Sequence, residues 1–84
     1  MTALFRSMLD EVPVVVKVDG AFGECDVYLN NRMVYRRSVW HNMTFEMTFV
    51  VGDHRFRIIV WGLRHFLLKT KVELFIDDVP IPPS

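Results

Sequence analysis

The chain has 84 residues, of which 51% are apolar and 13% aromatic, and its ten basic and ten acidic residues leave no net charge. This composition excludes a disordered chain, and a single cysteine, Cys25, excludes an internal disulfide framework. Because the sequence shows no signal peptide and no long uninterrupted apolar run, we expect one small cytoplasmic domain that does not contact a membrane.

The residues before Pro13 have an apolar pattern of their own. Apolar residues recur at helical spacing, Thr2 is suited to cap a helix, and Pro13 would end one. The apolar positions are Leu4, Phe5, Met8, Leu9 and Val12. We expect residues 1–12 to form an amphipathic N-terminal arm and residues 13–84 to form a single β domain. The arm would be a lid on the sheet or a partner-binding or dimerising segment.

Beyond Pro13 the apolar period changes from that of a helix to the alternation of a β-strand. Three short apolar strands lead directly into pairs of Asp, Asn or Gly residues, which tolerate the positive φ of two-residue hairpin turns. These pairs are Asp19-Gly20, Asn30-Asn31 and Asp77-Asp78. The pattern predicts antiparallel hairpins.

The alternation predicts six strands and a short final edge piece, Val79–Ile81. The six strands are Val14–Asp19, Glu24–Leu29, Met33–Trp40, Thr44–Val51, His54–Trp61 and Phe66–Ile76. Since each strand has one apolar face, a second layer must cover it. We therefore predict an all-β fold, a small antiparallel sandwich or half-open barrel of about six meander strands. The alternative is a single sheet covered by a helix formed from residues 2–12.

Adjacent arginines disturb the alternation of the third predicted strand. Of Arg36 and Arg37, one must point inward or mark a β-bulge. At a sheet edge, a charge in such a place would also discourage edge-to-edge aggregation.

The sequence contains no recognisable catalytic or metal-binding motif. His41, His54 and His65 are separated by 13 and 11 residues, and this spacing matches no compact set of metal ligands. Cys25 is in phase with the apolar residues of its strand, which favours a buried side chain over a nucleophile. We therefore expect neither enzyme activity nor a cofactor.

Basic and aromatic residues are concentrated in the middle of the chain and are the candidate contact residues. They are Arg36, Arg37, Trp40, Arg55, Arg57 and Trp61. Such a surface could capture a protein partner through Arg and Trp side chains, or stack and pair with single-stranded nucleic acid. A third interpretation is a solvated face whose arginines pair across strands with Glu46 and Glu73. Separately, an exposed sheet edge could add a strand from a partner or from a second copy.

Four segments occur in order along most of the chain. They are Tyr28–Asn31, Val34–Arg37 with Trp40 close behind, Met47–Gly52 and Val72–Pro82. In this order they resemble one repeat of the Fas apoptotic inhibitory molecule family, whose members stack short strands that end in Asp-Gly or Asn-Gly turns. Family members contain two such repeats, whereas this chain has room for one. Asn30-Asn31 and Asp77-Asp78 also replace the usual turn pairs.

The resemblance extends over residues 14–82 and implies a cytosolic, non-enzymatic interaction protein, with no catalytic residues to carry over. Our hypothesis from the sequence is therefore a protein–protein interaction module, connected with apoptosis or survival signalling by the resemblance. Its partner would be another protein or, through a sheet edge, a second copy. The alternative hypothesis is a small β domain that binds single-stranded nucleic acid through its basic and aromatic residues.

Overall fold

A computed structural model describes residues 2–19, 24–38, 45–61 and 71–84 of the chain. These residues form eight strands, β1 Thr2–Leu9, β2 Val12–Asp19, β3 Glu24–Leu29, β4 Arg32–Ser38, β5 Phe45–Val51, β6 His54–Trp61, β7 Lys71–Ile76 and β8 Val79–Ile81. Strands β1 to β4 make an antiparallel N-terminal sheet in chain order, and β5 to β8 make a C-terminal sheet in the same way.

The predicted all-β fold is confirmed, and the antiparallel meander connectivity with it. The number of strands is wrong, since eight strands form two separate four-stranded sheets where about six were expected. The alternative of one sheet covered by a helix is also wrong, because the described residues contain two sheets and no helix. Parts of the third, fourth and sixth predicted strands, residues 39–40, 44 and 66–70, fall outside the portion that the structure describes.

The helical prediction for the N-terminal segment is wrong, because Thr2–Leu9 forms β1. This strand pairs with β2 over its whole length, and Phe5 lies opposite Val16, where both are 1% exposed. A helix of this length is marginal on its own. Pairing with a valine-rich strand instead satisfies the hydrogen-bonding groups of the main chain and buries Phe5. The contact with β2 therefore determines that this segment is a strand and not a helix.

In the part of the chain that the structure describes, four two-residue turns connect strands in hairpins. Asn30-Asn31 and Asp77-Asp78 have positive φ at both positions, 51° and 66° in the first pair and 52° and 66° in the second, as predicted for hairpin turns. Asp10-Glu11 makes a further turn of this kind, at 51° and 68°, that the sequence pattern did not indicate. In the turn Gly52-Asp53 only the glycine has positive φ, 61°. The predicted turn at Asp19-Gly20 falls partly outside the described residues, because Gly20 is not among them.

The inner faces of the two sheets share one apolar core. Its buried members are Phe5, Val14, Val16, Val18, Cys25, Val27, Met47, Phe49, Phe56, Ile58, Val60, Leu74 and Ile76. The strict alternation of these positions along β2, β5 and β6 is what the sequence pattern predicted. The polar residues between them consequently point to the two outer faces of the molecule, where the candidate contact residues must be sought.

Of the two alternatives predicted for the adjacent arginines, the structure has the inward-pointing one, at Arg37, and the bulge in β4 lies earlier in the strand. Its register with β3 shifts between Val27 and Tyr28, so that one extra residue is accommodated in β4. Beyond the shift, Arg36 pairs with Asp26 on the outer face and Arg37 pairs with Cys25, on the side that faces the other sheet.

The two sheets approach each other along both sides. On one side, the residues after β8 reach β1, where Phe5 and Pro83 form an isolated bridge and the backbone N–H of Ser84 donates to the carbonyl of Leu4 at 2.8 Å. On the other side, the ring of Tyr35 in β4 stacks on Phe49 in β5 with 3.9 Å between centroids.

Candidate interaction surface

The structure divides the predicted contact residues between different surfaces. Arg55, Arg57 and Trp61 alternate along β6 and lie on the outer face of the C-terminal sheet. Arg36 lies on the outer face of the N-terminal sheet, and Arg37 lies at the edge of that sheet on its inner side. Trp40 belongs to the part of the chain that is not described. The six residues therefore do not form one surface, and β6 provides the larger coherent group.

Arg57 is at the centre of the outer face of the C-terminal sheet. In register it lies between Thr48 on β5 and Phe75 on β7. Its guanidinium carbon lies 4.8 Å from the centroid of the Phe75 ring, a cation–π contact. Its Nε is buried and lies 3.6 Å from Oε2 of Glu46, close enough for an ion pair, but it has no hydrogen-bond acceptor among the described residues.

Trp61 lies at the end of β6 and is 44% exposed. Its indole Nε1 donates a hydrogen bond to Oε1 of Glu73 at 2.9 Å, and the same oxygen lies 3.5 Å from Nζ of Lys71. The hydrogen bond fixes the orientation of the ring, while a large part of the ring remains in contact with solvent. An aromatic side chain held in this way loses little conformational entropy when it binds a partner.

Arg55 forms hydrogen bonds with both residues of the turn between β7 and β8. Its Nη2 donates to Oδ2 of Asp78 at 2.5 Å, and its backbone N–H donates to Oδ1 of Asp77 at 2.9 Å. The side chains of Arg55 and Asp78 are both more than half exposed, at 53% and 66%. This pair is therefore open to exchange with other charged groups.

The charges on this outer face are balanced among the described residues. Its three basic side chains, Arg55, Arg57 and Lys71, each lie within ion-pair distance of a carboxylate. Arg57 pairs with Glu46, as the third interpretation of the sequence expected, whereas Glu73 is held by Trp61 and Lys71 and not by an arginine. The face is thus amphipathic and not basic.

On the outer face of the N-terminal sheet, Arg36 is bound more firmly than Arg55 or Arg57 on the other sheet. Nε and Nη2 of Arg36 donate to the two carboxylate oxygens of Asp26 at 2.9 and 3.2 Å, and Nε lies 3.4 Å from Glu24. Asp26 is only 6% exposed. This bidentate hydrogen bond, with the charges of Asp26 and Glu24, raises the pKa of Arg36 above its usual value. Arg36 is thus occupied in neutralising a buried carboxylate.

Three hairpin turns meet at one end of the molecule, around His54. Its Nδ1 lies 2.5 Å from Oδ2 of Asp77 in the C-terminal sheet, and its Nε2 lies 2.7 Å from Oδ2 of Asp10 in the N-terminal sheet. The hydrogen bond to Asp77 and then that to Asp10 raise the pKa of His54 to about 9, so that the ring is charged at neutral pH. The histidine therefore links the two sheets.

A pocket of about 200 Å³ lies beside this histidine. Its lining is mainly apolar and comprises Leu9, Asp10, Val12, Leu29, Val51, Gly52, Asp53 and His54. The two ring nitrogens of His54 point to different carboxylates and not to a common centre. Within the described part of the chain, no group of three or more His, Cys, Asp or Glu side chains is arranged to hold a metal ion.

The one cysteine is unsuited to nucleophilic chemistry. Cys25 is 0% exposed in the core, and its burial, followed by the charge of Asp26, raises the pKa of the thiol to about 12. The thiolate that a nucleophile requires is thus almost absent at neutral pH.

Sequence reasoning overlooked Phe75 as a part of the candidate surface, and it named Glu46 and Glu73 only as pairing partners of the arginines. The strand β7 contains the signal that would have found Phe75, because it lies between the inward-facing Leu74 and Ile76 and must point outward. Its place beside Arg57 depends on the pairing of β6 with β7, which a single sequence does not fix.

Among the described residues there is no helix with the length and apolar character of a membrane span. Comparison of the chain with models of protein families, with curated proteins and with solved structures finds no match.

Proposed function

We propose that the protein is a non-enzymatic protein–protein interaction module that binds its partner through the outer face of the C-terminal sheet. The observation that supports this proposal most directly is on the outer face of β6, where Arg57 lies over the Phe75 ring and Trp61, 44% exposed, lies further along the same strand. Arg and Trp are the residue types that most often dominate binding energy at protein interfaces.

The balance of charge on this face indicates the chemistry of the partner. Since each described basic side chain already has a carboxylate nearby, a polyanion would have to displace these carboxylates before it could bind. A protein surface that offers an apolar group to Trp61 and both charge signs to the rim avoids this cost. The face thus favours a protein partner over single-stranded nucleic acid.

The resemblance to the Fas apoptotic inhibitory molecule family supports the same proposal. It extends over Tyr28–Asn31, Val34–Arg37, Met47–Gly52 and Val72–Pro82. By this resemblance the module would act in the cytoplasm, in apoptosis or survival signalling.

Partner capture on the immobilised protein tests the proposal. We expect Trp61→Ala and Arg57→Glu each to reduce recovery of the captured protein at least tenfold, as expected for residues at the centre of an interface. Arg6→Glu is the matched control, because Arg6 is exposed on the other sheet opposite Val15 and the change reverses one charge in the same way. Thermal unfolding of each variant would show that the fold is retained.

The response to salt separates the two kinds of partner. Binding to the amphipathic face is expected to change little as the salt concentration rises, whereas binding of nucleic acid would weaken steeply because counterions are released. A captured protein that is lost equally from Arg6→Glu and from Trp61→Ala would contradict the proposed surface. Selective binding of single-stranded nucleic acid with a steep salt dependence would contradict the proposed partner.

A further inference from the structure

The two sheets have four edge strands, β1, β4, β5 and β8. An edge strand presents a row of backbone N–H and C=O groups to which another strand can bind, and natural proteins usually block such edges. The four edges of this molecule differ in how they are blocked.

The edges β1 and β8 are covered or interrupted. Near β1, the C-terminal residues form the bridge between Pro83 and Phe5, and Ser84 donates to the carbonyl of Leu4. Strand β8 has only three residues, Pro80 lies at its centre and Pro82 follows it. Prolines lack the backbone N–H that a new strand would need.

The edge β4 is protected by its shape and charge. The register shift against β3 twists it, and it contains three arginines, of which Arg37 points to the inner side of the sheet. Bulges and inward-pointing charges are the features that prevent edge strands from pairing with other chains.

The edge β5 has none of these features in its described residues. It pairs with β6 over seven consecutive residues without a register shift, and its sequence FEMTFVV contains one charge, Glu46, and no proline or glycine. Val50 is 66% exposed on its outer side. Strand β5 is therefore regular, apolar and long enough to bind a further strand.

We propose that the edge of β5 pairs with β5 of a second copy of the chain, in antiparallel orientation, to give a continuous eight-stranded sheet. The inference is independent of the proposed partner surface, since it concerns the main chain at the sheet edge and not the outer face.

The sequence of β5 is complementary to itself in this orientation. The register that pairs all seven residues is centred on Thr48, and it places Glu46 opposite Val50 and Met47 opposite Phe49. No like charges then face each other across the pair, and the buried rows that contain Met47 and Phe49 become continuous between the two copies. A small domain also benefits from the additional burial, because its own core is limited.

Two substitutions at Val50 test this register, because they introduce opposite charges at the same position. Val50→Glu places a glutamate opposite Glu46 of the second copy, twice in each dimer, and we expect about a tenfold weaker dimer. Val50→Lys places a lysine opposite the same Glu46, and we expect a dimer at least as tight as that of the unchanged protein.

The same two substitutions have the opposite effect within one copy. Val50 lies opposite Arg55 on β6, so the glutamate is the favourable change for the monomer and the lysine the unfavourable one. A weaker dimer in Val50→Glu could thus not be attributed to a poorer fold. Glu46→Lys combined with Val50→Glu restores opposite charges across the pair and is expected to restore the dimer.

Sedimentation equilibrium over a wide concentration range would give the dimer affinity of the full chain and its variants. We expect a mass that rises from one copy to two, with the stated order of affinities. Amide exchange in concentrated samples should slow in β5 and not in β4 or β8. A monomer at every concentration would overturn the proposal, as would a dimer that both substitutions affect alike, that neither affects, or that protects a different edge.

Discussion

The two sheets have the same meander topology but arrange charge differently on their outer faces. In the N-terminal sheet one cross-strand row places Asp26 between Lys17 and Arg36, and the adjacent row places Asp19 opposite Glu24. In the C-terminal sheet a charged side chain lies beside an aromatic one in the row that pairs Arg57 with Phe75. The first arrangement buries a carboxylate, and the second leaves its ion pairs exposed.

This contrast shows that an arginine can have two different roles on similar strands. The Asp26 side chain is 9% exposed and needs Arg36 to neutralise it, whereas the side chain of Glu46 is 53% exposed and is solvated with or without Arg57. Arg36 therefore serves the fold, while Arg57 can exchange its partner at little cost. Only the second kind of arginine is suited to recognition.

Removing the two arginines should reveal this difference in stability. We expect Arg36→Gln to be the most destabilising of these changes, because it leaves the buried Asp26 without its bidentate partner. Asp26→Ala should cost about 1 kcal/mol, since Arg36 can then turn to solvent. Arg57→Gln should have the smallest effect. Chemical denaturation of the three variants would test the order, and equal losses for Arg36→Gln and Arg57→Gln would remove the distinction between the sheets.

The turns offer a second comparison, between Glu11 and Asn31, the second residues of their turns. Both have a left-handed backbone, with φ of 68° and 66°. Glutamate is strained there, whereas asparagine tolerates this conformation. We expect Glu11→Gly to stabilise the protein by about 0.5 kcal/mol, because the relief of strain exceeds the added flexibility of the unfolded chain. Asn31→Gly is the matched control and should change the thermal midpoint less; a larger gain from Asn31→Gly would contradict the argument.

The link between the sheets at His54 should have a small effect that depends on pH. The pKa of His54 is raised from 6.5 to about 9, so its contribution to stability is complete below pH 6.5 and disappears as the pH rises through about 9. The pKa of Asp77 is lowered from 3.8, first by the hydrogen bond with His54, so its contribution exists above pH 3.8 and is lost as the pH falls through its folded value. The two contributions coincide between pH 3.8 and 6.5.

Thermal midpoints of the unchanged protein and of His54→Gln, measured across this range, would test the link. The difference between the two proteins should be largest between pH 3.8 and 6.5 and should vanish above about 9. Because His41 and His65 are present in both proteins, the difference reports on His54 alone. A difference that grows above pH 7 would contradict the raised pKa.

Much of the fold followed from local patterns. Strands β3 and β6 have the bounds that the alternation predicted, because each has one apolar face between turn residues. Strand β1 was missed because the spacing of Leu4, Phe5, Met8 and Leu9 also fits a helix. The turn that follows it has glutamate where glycine or asparagine would be expected, so no local signal marked the hairpin.

The candidate surface could be predicted only in part. Alternation along β6 places Arg55, Arg57 and Trp61 on one face. The separation of Arg36 from this group depends on which strands belong to which sheet, and the pairing of Arg57 with Glu46 depends on contacts between strands. Such long-range pairing is not encoded in local spacing, so it could not be read from the sequence.

The burial of Cys25 makes it a natural reporter on the opening of the sheets. A thiol reagent requires both access and a thiolate, and the folded protein denies it both, with the side chain 0% exposed and a pKa of about 12. Its labelling rate therefore measures how often β3 separates from the C-terminal sheet. With a single cysteine in the chain, the kinetic trace follows one site without any engineering.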